Sequence, residues 1–190
     1  ESTSVQYRQK ADWLMFSYPH QHPEIRDAVT KLCSDFDGKY WQVCDAERAY
    51  PSEFVKALTE AGYLSALIPE EYGGLSLPIS AGAAILEEIH RSGGNAAACH
   101  AQMYTMGTVL RHGSDAQKAE YLPGIADGSL RLQAFGVTEP TSGTDTSALR
   151  TTARRDGDDY IVNGQKVWTS RAEYSDLLLL LARTTPLDHC

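Results

Sequence analysis

The residues best equipped for chemistry lie between Ala134 and Ser170, in AFGVTEPTSGTDTSALRTTARRDGDDYIVNGQKVWTS. Thr138, Thr144 and Ser170 carry hydroxyls, the chain around Val137 carries backbone N–H donors, and Trp168 carries a large aromatic face. Donors that converge on one polar rim can hold an electron-rich edge, while the indole gives a flat ligand a packing surface. Taken singly, each residue also suits a plain structural role as a turn hydroxyl, a strand hydroxyl or a core tryptophan. Their order, and their flanks EPTSGTD and NGQK, argue for a joint site. Glu139 is tempting as a catalytic carboxylate, but beside Pro140 in a turn it reads as structural.

The elements that must position these residues are short strands. Asp156-Gly157 and Asn163-Gly164 suit the positive φ angles of tight hairpin turns. RTTAR, YIV and QKVWTS around them are β-branched or aromatic and read as neighbouring antiparallel strands. Upstream, LQAFGVTE is another strand candidate, which empties into the polar loop Pro140 to Asp145. On a strand, Lys166, Trp168 and Ser170 would share one face. Asp176 to Arg183 holds five consecutive leucines; its short length and polar bounds favour a buried strand over the helix that leucine prefers.

The chain before about Ser129 has the pattern of helices. PEIRDAVTKLCSDF places Ile25, Val29, Leu32 and Phe36 on one side, with Pro23 in the first turn. KYWQVCDAERAY reads as a connection. Pro51 opens a second helix that Gly62 ends, and LSALIPEEYGG is non-helical. Ile79 to about Arg91 is helical, with Ala83, Leu86 and Ile89 or His90 expected inward. Asn95 to Arg111 is helical and apolar on most sides. Its Met103, Tyr104 and Met106 are either ordinary core or a soft lining for a flexible acyl chain. Ser114 is an N-cap candidate, and Pro123 is expected to kink or close the helix that follows.

Composition sets outer limits. The 190 residues carry a net charge of −8, which argues against nonspecific nucleic-acid binding. No apolar run approaches the ~20 residues that cross a bilayer. Cys33, Cys44, Cys99 and Cys190 show neither zinc nor disulfide spacing and read as reduced thiols in a cytoplasmic-type compartment. No metal site is expected: His20-x-His22 could chelate, but lies between Pro19 and Pro23 in a candidate exposed loop.

VTEPTSGTD followed by DGDDYIVNGQKVWTS resembles the signature of the acyl-CoA dehydrogenase family of flavoproteins, and Ile68 to Gly74, IPEEYGG, resembles a further family segment. The resemblance runs from about Pro23 to the end. It implies an α+β fold, in which an N-terminal helical domain precedes an antiparallel β-barrel-like domain. A composition shift near Leu130 divides the chain into an irregular segment 1–22, a helical domain 23–129 and an incomplete β-domain 130–190.

The resemblance further implies bound FAD, with flavin contacts at Phe135, Val137, Thr138, Trp168 and Ser170. Thr144 falls where the family carries a serine near the flavin or the pantetheine of CoA, and Met103 and Met106 are the acyl-side candidates. Thr141 replaces a frequent glycine, Ser170 a more usual threonine, and Arg171 is uncommon. The implied reaction is α,β-dehydrogenation of an acyl-CoA thioester, in fatty acid metabolism. A base takes the α-proton, the β-hydrogen leaves as hydride to flavin N5, and an electron-transfer flavoprotein accepts the electrons. A eukaryotic member would sit in the mitochondrial matrix.

The family's base is a glutamate in a C-terminal helical domain, and no residue here matches it. The chain is expected to be part of a longer enzyme, a homodimer or homotetramer when complete. Alone it should bind flavin weakly and not turn over. Flavin-dependent oxidases and monooxygenases share the scaffold, and a non-catalytic binding module is the third reading.

Overall fold

The computed structural model describes residues 21–185. His20, Cys190 and almost all of the segment 1–22 lie outside the described residues. The described residues form six α-helices and then four short strands, so the expected order holds. No helix among them is long and apolar enough to cross a membrane.

Helix α1 (Pro23–Cys33) starts on its proline, as expected, and buries Arg26, Val29 and Cys33. Arg26 is tolerated inside because it meets two carboxylates, Glu88 at 2.6 Å and Glu87 at 2.7 Å. The KYWQVCDAERAY segment is not a connection but helix α2 (Gly38–Ala46). Asp37 caps it by accepting from the amides of Lys39 and Tyr40, both at 3.0 Å. Its aromatic residues then pack edge-on: Trp41 against Phe54 and Tyr40 against Phe36. Helix α3 (Ser52–Glu60) buries Phe54, Val55 and Leu58, and Gly62 follows it in a left-handed conformation.

The helix α4 (Ile79–Arg91) buries Ile89 and half-buries Leu86 as expected, but its inward side is centred elsewhere. Ala81, Gly82, Ala84, Ile85, Glu88 and Ile89 are buried, while Ala83 and His90 are exposed. Glu88 misled the pattern: its carboxylate is buried because Arg26 and Arg91 neutralise it. The Glu88 carboxyl is accordingly held low: burial pushes it up, but the Arg26 and Arg91 contacts outweigh that.

Helix α5 (Ala97–His112) is buried on several sides, and Gly113 ends it. Helix α6 (Asp115–Asp127) begins with the expected Ser114 cap, closed into a capping box by Gln117. Pro123 lies inside α6 and does not close it.

The strands make two separate two-stranded sheets, and no closed barrel forms among the described residues. Strand β1 (Ala134–Gly136) pairs in parallel with β4 (Leu178–Leu180), which puts Phe135 opposite Leu179. The leucine run is therefore a strand, but not the buried one expected: only three residues of it pair, and Leu178, Leu180 and Leu181 stand exposed because only one face packs on α6. Strands β2 (Thr152–Asp156) and β3 (Asp159–Asn163) form the expected antiparallel hairpin, with Gly157 at φ 65° in the turn.

QKVWTS is not a third strand. After β3 the chain crosses closely over Thr151, and Trp168 adopts a left-handed φ of 61°. The alternation that would align Lys166, Trp168 and Ser170 on one face therefore does not apply.

Two apolar clusters result. One gathers α1, α3, α4 and the start of α5 around Phe54, Leu58 and Ile85. The other gathers α6 and β4 on Ile68, Met106, Leu122 and Ile125. Met106 has no exposed surface and Met103 only 7%. Both methionines are packed among the buried residues of these clusters.

A polar seam joins the helical and β parts. Tyr50 donates to Gln133 Oε1 at 2.8 Å, and the Gln133 amide donates to Gln102 Oε1 at 3.4 Å. Gln102, also fully buried, donates to the Leu64 carbonyl at 3.2 Å. Burial of two glutamines is tolerable only because each finds partners.

Candidate functional site

Strand β1 delivers the first arm of the site. Phe135 is half-buried and its ring lies 5.6 Å from that of Tyr104 on α5. Val137 and Thr138 follow where the strand ends. The second arm runs from Gly164 to Ser170. The two meet through their backbones, since the Val167 amide donates to the Thr138 carbonyl at 2.9 Å. Thr138 and the residue before Trp168 are thus direct neighbours.

A buried ion pair fixes this junction. Lys166 Nζ donates to Glu139 Oε1 and to the Val137 carbonyl, both at 2.9 Å. The Glu139 carboxylate also accepts from the amides of Arg150 at 2.6 Å and Thr151 at 2.8 Å. Burial by itself would raise the Glu139 carboxyl. Lys166, then the Thr151 and Arg150 contacts, win and bring it down to about 2. So committed, Glu139 is structural, as its place beside Pro140 suggests. The sequence pattern puts Lys166 on one face with Trp168 and Ser170 but gives it no role; its burial beside Glu139 is what marks it.

Between the arms lies the polar loop. The Glu139 amide donates to the Ser142 carbonyl at 2.8 Å and the Ser142 amide returns to Glu139 at 3.2 Å, closing a tight turn. Ser142 Oγ donates to the Asp145 carbonyl at 2.6 Å. Asp145 then caps the short turn Thr146–Ala148 by accepting from the Ser147 amide. Thr144 stands exposed on this loop.

What remains uncommitted is informative. The hydroxyls of Thr138, Thr144 and Ser170 make no hydrogen bond among the described residues. Trp168 is 86% exposed although its backbone is anchored on both sides. A large aromatic residue held out of the core, on a segment that also carries the Ser170 hydroxyl and bonds to Thr138, is equipped to meet a flat ligand with a polar edge. The residues present therefore fit a flavin. Phe135 and Val137 are half-buried on the stretch that leads into this junction. Met103 and Met106 lie in the two cores and are not brought to it. An apolar cavity of about 370 Å³ between α5, α6 and β4 is bounded by Val109, Tyr121, Leu132 and Leu177, apart from these residues.

The remaining motifs have other duties. His22 Nε2 lies 2.9 Å from Ser80 Oγ, and no group of metal-ligating side chains occurs among the described residues. Cys33, Cys44 and Cys99 are free thiols. Burial alone pushes the Cys99 thiol up to about 12.

Comparison with known proteins places this geometry in a family. Residues 19–129 match the N-terminal domain of acyl-CoA dehydrogenases, and residues 134–189 match their middle domain. The chain belongs to the acyl-CoA dehydrogenase family. It is 32% identical over 170 residues to the acyl-CoA dehydrogenase FadE12 of Mycobacterium tuberculosis, which covers 89% of this chain and 44% of that protein. It is 36% identical over 167 residues to a glutaryl-CoA dehydrogenase of Desulfococcus multivorans, covering 85% and 41%. The crystal structure of an acyl-CoA dehydrogenase from Geobacillus kaustophilus superposes with a TM-score of 0.79 at 28% identity, covering 88% of this chain and 44% of that one. The chain thus spans less than half the length of the relatives it matches.

Proposed function

We propose that this chain carries the cofactor-facing part of an FAD-dependent acyl-CoA dehydrogenase. The observation that carries the reading is the junction itself: the Val167–Thr138 backbone bond joins two segments that carry the uncommitted hydroxyls of Thr138 and Ser170 and the exposed Trp168 ring. Thr138 and Ser170 would donate to the polar edge of the flavin, and Trp168 would cover one face. Phe135 and Val137 would form the backing, with Thr144 reaching the flavin or the CoA arm. FAD, when bound, supplies the acceptor for the hydrogen lost from the acyl β-carbon.

In this reading residues 23–129 form a helical domain and 130–190 the start of a β-domain. Glu139 is locked by Lys166 and two amides, so it does not serve as the base. The base, the acyl pocket and the surfaces for a homo-oligomer and for an electron-transfer flavoprotein are assigned to none of these residues.

The test uses the protein at its native length, loaded with FAD under nitrogen. Addition of a saturated acyl-CoA is expected to bleach the flavin band near stoichiometrically, with the enoyl product formed. Unchanged absorbance across short, long and dicarboxylic acyl-CoA substrates contradicts the dehydrogenase reading. Stoichiometric peroxide release under air, with no electron transfer to an electron-transfer flavoprotein, moves it to an oxidase.

A further inference from the structure

We propose that Arg171 is the positioning residue that locks Trp168 and Ser170 onto the helical domain. The inference deepens the flavin reading and rests on it. Trp168 and Arg171 both adopt left-handed φ, 61° and 59°, though neither is glycine. Such a conformation costs about 1 kcal/mol or more per residue and persists only where surroundings over-determine it. On the near side, the Val167 bond to Thr138 supplies the constraint. On the far side, the constraints centre on Arg171.

Arg171 Nη2 donates to the Ala97 carbonyl at the start of α5, at 2.8 Å. Its own carbonyl accepts from Ser175 Oγ at 2.9 Å and from the Tyr174 amide at 3.1 Å. Ser175 Oγ in turn accepts from the Gln133 amide at 3.2 Å. Tyr174 stacks on Tyr50, with ring centroids 4.4 Å apart and planes 15° from parallel. The Arg171 side chain thus ties the turn after Ser170 to α5, while its backbone carbonyl holds Ser175 and Tyr174, which reach the approach to β1 and the loop before α3. Its long side chain crosses between parts of the chain 74 residues apart in sequence. A lysine could reach the same carbonyl but would lack the planar guanidinium, whose Nε is buried without a partner among the described residues.

The flavin-facing segment contributes no ladder bonds of its own, so its shape is borrowed from these anchors. Removing the guanidinium should leave the helical core intact and loosen residues 168–176. The experiment compares wild type, Arg171→Ala, Arg171→Gly and Arg171→Lys at native length. Without FAD, hydrogen exchange is followed on amides 168–176 and on α5. Arg171→Ala and Arg171→Gly are expected to exchange at least about tenfold faster in 168–176, about 1.4 kcal/mol. The α5 amides should stay unchanged. Arg171→Lys should fall between.

With FAD, Arg171→Ala should bind about tenfold more weakly and shift the visible dichroism of the bound flavin. Arg171→Gly relieves the φ strain but not the loss of the tie, so its affinity should also fall. Unchanged exchange in 168–176 overturns the proposal whatever the flavin does. So does wild-type affinity and dichroism in Arg171→Ala. A wild-type protein that takes up no FAD contradicts the functional reading instead, and exchange then decides the positioning role alone.

Discussion

Replacing Lys166 with methionine is expected to lower stability by about 3–5 kcal/mol, the range for breaking a buried ion pair by deleting one partner. The side chains of Lys166 and Glu139 are only 10% and 4% exposed. Methionine keeps the length and apolar stem but abandons Glu139. The carboxylate retains its two amide donors, which moderates the loss, yet it loses the charge that balances it. Glu139→Gln should do less damage, because a neutral amide can still accept and the buried charge left over belongs to a flexible lysine.

The effect depends on pH in a defined direction. Glu139 is depressed in the folded protein, to about 2 from an ordinary 4.5, so its contribution is present above the ordinary value. That contribution fades as pH falls through the window down to about 2. The gap between wild type and Lys166→Met should be widest near neutrality and shrink over that window. Urea melts at a series of pH values measure it. Because the same lysine holds the Val137 carbonyl, flavin affinity should fall with stability. A variant that melts within about 0.5 kcal/mol of wild type at pH 7 would contradict the clamp.

Gly74→Ala should be nearly as damaging, at about 3 kcal/mol or more. A β-carbon there would lie 2.1 Å from the Ile68 carbonyl oxygen and 2.4 Å from the Ile68 β-carbon. The obstacle is backbone, which cannot swing aside as a side-chain tip could. It is also pinned: the Ser76 amide donates to the same carbonyl at 2.8 Å, and Leu77 to Ala66 at 2.8 Å. Ile68 is fully buried in the core beside α6. Gly143→Ala is the matched control, since a β-carbon there meets nothing within 4 Å. Thermal melts of the two variants should differ by several degrees; equal melting temperatures would sink the close-approach argument.

These residues show what a sequence can reveal and what it hides. Pro23, Ser114 and Gly113 announce helix ends because capping is local chemistry. The β2–β3 hairpin is equally local, signalled by Asp156-Gly157. Helix α2 escaped because its aromatic residues satisfy partners distant in sequence, such as Phe54. The inward side of α4 escaped because buried Glu88 is acceptable only with Arg26, 62 residues away. QKVWTS has strand propensity, but its conformation is set by Thr151, Thr138 and Arg171, none of which propensity can sense. At the site, residue type and order were enough to nominate Thr138, Ser170 and Trp168. The Lys166–Glu139 clamp and the Arg171 tie exist only as three-dimensional contacts.

The most direct measurement is the dissociation constant for FAD of the native-length protein, wild type against Trp168→Ala, by titration of flavin fluorescence. Trp168 is 86% exposed, so its removal should leave unfolding stability within about 0.5 kcal/mol. On the proposed reading it should nevertheless weaken FAD binding at least about tenfold, since the ring would lie against the ligand. Equal affinity in the two proteins, with stability unchanged, would mean that the indole faces no cofactor.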